Sequence, residues 1–111
     1  MIDTNLKKIA KFYNDYQVIN FHGDMEEQKE AMTKQMDGLV NVILPCLVNL
    51  SEGNEDVLVS EILVSLVGDG EDLIPEKKFI EVQNNLKEMR RVGEQIGFDQ
   101  RLINVINALV P

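Results

Sequence analysis

Between Pro75 and Gly97 a stripe of apolar residues, Phe79, Val82, Leu86, Met89, Gly93 and Ile96, recurs at three- and four-residue spacing. That period is one face of an α-helix. Pro75 suits a helix start, where its missing N–H would have had no partner, and Glu76 behind it meets the positive end of the helix dipole. At the other end Gly97-Phe98 reads as a Schellman close, in which glycine turns left-handed and the next apolar residue folds back. A helix this long must bury its stripe on something. No segment offers a clear sheet, so the covering elements are expected to be helices.

The remaining punctuation agrees. Asp3 or Thr4 can cap a first helix carrying Leu6, Ile9, Tyr13 and Tyr16, widened by Phe12 and Ile19, with its stop expected near Phe21–Gly23. Asp24 with Glu27 makes a capping-box-like start for a second helix. Its face runs through Met25, Met32, Met36, Leu39, Ile43, Leu47 and Leu50. From Leu39 to Leu50 nearly every residue is apolar, so this half is expected to be surrounded by the rest of the chain. Pro45 cannot donate to the carbonyl of Asn41 and crowds that turn, which predicts a kink or break. Gly38 is a second weak point.

The run VLVSEILVSLV, residues 57–67, is ambiguous: its valines suit a strand, whereas Leu58, Ile62 and Leu66 suit a helix. With Gly68 placed as a C-cap and no partner strand in view, a helix is predicted. Asp99 then caps a last helix with Leu102, Ile106 and Leu109. The expected fold is all-α, a compact bundle of about five helices with short loops in one domain spanning residues 1–111.

Composition supports this reading. Of 111 residues 44% are apolar and 27% charged, with no Trp and 5% aromatics, so the core rests on aliphatic and Met side chains. The lone Cys46, in VILPCLVNL, is expected to be a buried small apolar residue. The opening MIDTNLKKIAKF lacks the apolar centre of a secretory signal, and a cytoplasmic protein is expected.

The net charge of −8 argues against nucleic acid as a direct ligand, because phosphate binding runs on Lys and Arg. Charge is unevenly spread: nine acids and no basic residue lie between Gln35 and Glu76, whereas Met1–Asn14 and Lys77–Arg91 are net +2 and +3. Such a division can orient an encounter with a basic partner or with a second copy.

Tests for chemistry are negative. Setting Gly70 at position 6 of a calcium loop places Asp69 at 5 and Glu76 at 12, but Ser65 and Val67 fall where ligands are required. His22 and Cys46, one of each, lie in different predicted elements and make no zinc set or nucleophile pair. No phosphate-cradling or dinucleotide motif is present. Neither a cofactor nor a metal is expected, and an enzyme is the least favoured class.

The acids themselves are the candidate site. If neighbouring helices run antiparallel, Asp24, Glu26 and Glu27 of one connection and Asp69, Glu71, Asp72 and Glu76 of another converge at one end of the bundle. The expected function is a small acidic protein-binding module. An inhibitor or immunity-type protein that blocks a basic partner such as a nuclease toxin fits this charge and size. The alternative is a structural homo-oligomer or adaptor that buries an apolar face of the second helix, a homodimer in the simplest case.

Overall fold

A computed structural model describes residues 4–51, 59–68 and 73–110. Among them the helices are α1 (Thr4–Asp15), α2 (Met25–Gly38), a π-helical turn (Leu39–Ile43), α3 (Leu44–Ser51), α4 (Val59–Val64), α5 (Glu76–Ile96) and α6 (Gln100–Leu109). As α2, the π turn and α3 run on without interruption, they form one long composite helix, and the described chain is a five-helix, all-α fold. Its radius of gyration, 14.0 Å, is near the roughly 13 Å of a compact chain of this length.

The predicted disturbance at Pro45 takes the form of the π turn immediately before it. Leu44 N–H bonds to the carbonyl of Leu39, one residue further back than in an α-helix. Pro45 has no N–H to offer, and the wider turn gives its ring room against the preceding carbonyls. The helix therefore bends its hydrogen-bond register instead of breaking. Gly38, just upstream, is a close approach: a Cβ there would stand 3.2 Å from the Phe12 ring of α1.

α5 and α6 close as read from sequence. Gly97 is left-handed, with φ 66°, and Phe98 N–H bonds to the Gly93 carbonyl at 2.8 Å. Asp99 caps α6 by accepting from Arg101 N–H at 2.9 Å. The two helices pack antiparallel, and a Cβ on Gly93 would meet Ile103 Cδ1 at 3.0 Å, so glycine sets their separation. Val82, Leu86, Met89, Leu102, Ile106 and Leu109 are buried between them and the rest of the core.

Three expectations are corrected. The first helix ends at Asp15, not near Phe21–Gly23, because residues 16–22 leave the helix and lie along α5. Asn85 of α5 takes the place of helix hydrogen bonds there: its Oδ1 accepts from Tyr16 OH at 2.6 Å and Ile19 N–H at 2.9 Å, and its Nδ2 donates to the Ile19 carbonyl at 3.0 Å. Tyr16 and Ile19 are buried as expected, but from an irregular, non-helical segment. Next, α4 stops at Val64 instead of reaching Gly68. Turns follow, and Val67 makes a parallel bridge to Ile74, with Ile74 N–H on the Leu66 carbonyl at 2.9 Å. Residues 57 and 58 lie outside the described chain.

The third concerns the apolar half of the composite helix. It is not surrounded: Leu39, Ile43, Cys46 and Leu47 are buried, while Val42, Leu44 and Val48 are 41, 38 and 57% exposed. A single helix has two sides, and α1 and α6 cover one of them. Met25, placed on the same apolar face by its spacing, is exposed at the helix start.

Candidate functional site

The non-helical segment after α1 and the first turns of α2 face each other across an open groove of about 370 Å³. Its position follows from the local sequence. Asp24 caps α2, its Oδ1 accepting from Glu26 N–H at 3.2 Å, and the dipole of the helix favours acids in this turn. Gln28, buried, donates from Nε2 to the Gly23 carbonyl at 2.7 Å and pins the chain entering the helix. Glu27 folds back so that its carboxylate comes within 3.8 Å of where a Gly23 Cβ would be.

Asp24, Glu27 and Glu30 line the α2 side of this groove, with Asn20 and the exposed Val18 on the other. At the far end the Gln35 amide reaches across to the Gln17 carbonyl at 3.4 Å, beside Lys34. The groove is thus acidic at the helix start and turns basic toward its closed end. Carboxylates there accept hydrogen bonds only, so the complementary group is a cationic donor, Lys or Arg, in a partner.

Of the seven carboxylates predicted as a cluster, four lie among the described residues, and of these Glu76 stands apart from Asp24, Glu26 and Glu27. Asp24 and Glu27 line this groove, and Glu26 is exposed beside them without lining it. Glu76 lies at the start of α5, in a separate depression with Val64, Phe79 and Ile80. Asp69, Glu71 and Asp72 lie outside the described residues. Glu76 is held at a different level by the segment 16–22. Its Tyr16 carbonyl accepts from Lys78 Nζ at 2.8 Å, while its Ile19 backbone bonds to the Asn85 side chain. Lys78 and Asn85 are seven residues apart in α5, a rise of about 10 Å. The connection therefore carries Asp24 well along α5, away from Glu76.

Glu30 and Asn20 were not singled out by sequence. Glu30 had a signal, since Asp24, Glu27, Glu30 and Lys34 recur at helical spacing on one side of α2. Asn20 had none, because its place depends on where α1 ends. Among the described residues no group of three His, Cys, Asp or Glu side chains comes together as a metal site, and no helix is long and apolar enough to cross a membrane. Cys46 is buried in α3, and His22 lies exposed on the connection.

Comparison with protein-family models, with curated proteins and with solved structures found no match to this chain.

Proposed function

We propose that this chain is a small acidic protein-binding module, an inhibitor or immunity-type protein that occupies a basic cleft on its partner, a nuclease toxin being the kind of protein that presents one. The supporting observation is the groove in which Asp24, Glu27 and Glu30 stand together beside the non-helical segment after α1. A basic substrate cleft attracts such a surface from a distance, and once filled it excludes its own polyanionic substrate. The overall charge of −8 adds to the steering. Glu26 enlarges the acidic rim; Glu76 stands apart from it, and Asp69, Glu71 and Asp72 are the further carboxylates that would meet the partner under this reading.

The test compares the wild-type chain with Glu27→Lys/Glu30→Lys, a variant that leaves the Asp24 cap in place. Both are used as bait in lysate of the source cell at low and at high salt. A basic protein retained by the wild type at low salt, weakened by salt and lost on the variant, is then purified and assayed. The reading holds if one equivalent of wild type suppresses that protein's activity and the variant does so at least about tenfold less well. If both baits retain the same proteins in either salt, the acidic groove is not the binding surface.

A further inference from the structure

Between α1 and the composite helix lies a second concavity, of about 270 Å³. Its floor is aromatic on one side. Phe12 of α1 and Tyr16 just beyond it meet edge to face, with ring centres 5.8 Å apart, and Val42 of the π turn lines the other side. Gly38 keeps the floor open, since a Cβ there would stand 3.2 Å from the Phe12 ring. The rim is cationic. Lys8 and Lys11 stand on it with a single acid, Asp15, which is already paired with Lys11. Lys8 is exposed and has no ion-pair partner among the described residues. The opposite wall supplies none, because the composite helix carries no charged residue between Asp37 and Glu52.

We propose that this pocket binds a small aromatic carboxylate, its ring against Phe12, Tyr16 and Val42 and its carboxylate on Lys8 Nζ. The volume is near the lower end of the range for small-molecule sites, about 300 Å³, which suits an indole-sized body. The aromatic class follows from the floor, where a further ring extends an existing edge-to-face pair. The acid follows from the rim: an ammonium beside an apolar floor attracts a carboxylate more strongly than it would in open water. A cationic ligand of the same shape meets Lys8 and Lys11 as like charges, and a neutral one leaves Lys8 unanswered. The preference is therefore opposite in sign to that of the groove of Asp24, Glu27 and Glu30. Gln35 lines both concavities, and its bond to the Gln17 carbonyl stands between them.

Three probes that share one ring system and differ in charge test this on the full chain: indoleacetate, its neutral amide indoleacetamide, and the amine tryptamine. Each is titrated into isotope-labelled protein and followed by the backbone amide shifts of Phe12, Gly38 and Val42. Indoleacetate is expected to saturate these shifts with a Kd about fivefold below that of the amide, and tryptamine to bind most weakly. Lys8→Glu, at an exposed position, is expected to reverse the order, so that tryptamine binds more tightly than indoleacetate. Gly38→Ala is expected to weaken all three together by filling the floor. The reversal decides the assignment even if Gly38→Ala loses helicity by circular dichroism. Shifts that stay unsaturated up to about 10 mM indoleacetate, equal affinity for the three probes, or an order unchanged in Lys8→Glu overturns the proposal.

Discussion

Asn85 is in the middle of α5, yet its side-chain hydrogen bonds all go to the segment that follows α1. Its amide presents an acceptor and a donor to Ile19 as a neighbouring strand would, and the same oxygen takes the Tyr16 hydroxyl. The residue is buried, so these partners have no water to fall back on. Asn85→Leu keeps the size but strands the Ile19 N–H, the Ile19 carbonyl and the Tyr16 hydroxyl. It is expected to cost roughly 3 kcal/mol of folding stability, read from urea unfolding. A loss below about 0.5 kcal/mol would mean the segment finds other partners. Gln28 does a similar task on a smaller scale at Gly23, ahead of α2.

The helix ends written in neighbouring residues were the legible ones. Gly97-Phe98 and Asp99 close α5 and open α6 by contacts within a few positions, and Asp24 opens α2 in the same way. Gly97→Ala forces a Cβ into left-handed backbone, although the space around it is open. It is expected to lower stability by about 1 kcal/mol, measured by urea unfolding, with the helix content unchanged. Where the stop signal is remote, local reading fails. α1 continues its apolar spacing through Tyr16 and Ile19, and only Asn85, 66 residues further on, draws Ile19 out of the helix. The same error hid half of the candidate site: Asp24 and Glu27 were readable as cap acids, but the facing wall at Asn20 exists because residues 16–22 leave the helix. Pro45 was readable as a disturbance, and its resolution as a π turn was not, because that choice depends on which side of α3 the core must receive.

At the scale of the molecule, two tyrosines tie the helices together. Tyr13 donates to Gln83 Oε1 at 2.7 Å, and Gln83 in turn donates to the Leu109 carbonyl at 2.9 Å, so α1, α5 and the end of α6 share one chain of bonds. The Tyr13 ring also stacks on Phe79 at 5.5 Å. Burial holds both Tyr13 and Tyr16 well above the ordinary phenol range. Folded values above the unfolded one mean that their contribution is complete below the unfolded pKa, about 10, and is lost as pH climbs toward the folded value. The urea midpoint is therefore expected to be steady from neutral pH to about 9 and to fall steeply above about 10. A midpoint that stays level to about pH 12 would show the phenols to be reachable by water in the folded chain.

The π turn also bears on how this chain can change length. A π turn is an α-helix holding one residue more than it needs, with the helix on either side left in phase. Loss of one residue between Leu39 and Ile43 would leave Cys46 and Leu47 facing the same neighbours as before. Loss of one residue elsewhere in α2 or α3 would spin the far half by about 100° and carry Leu47 out of the core. The long helix thus has a stretch where the deletion of one residue is absorbed, and homologous chains one residue shorter in this helix are expected to lack it there.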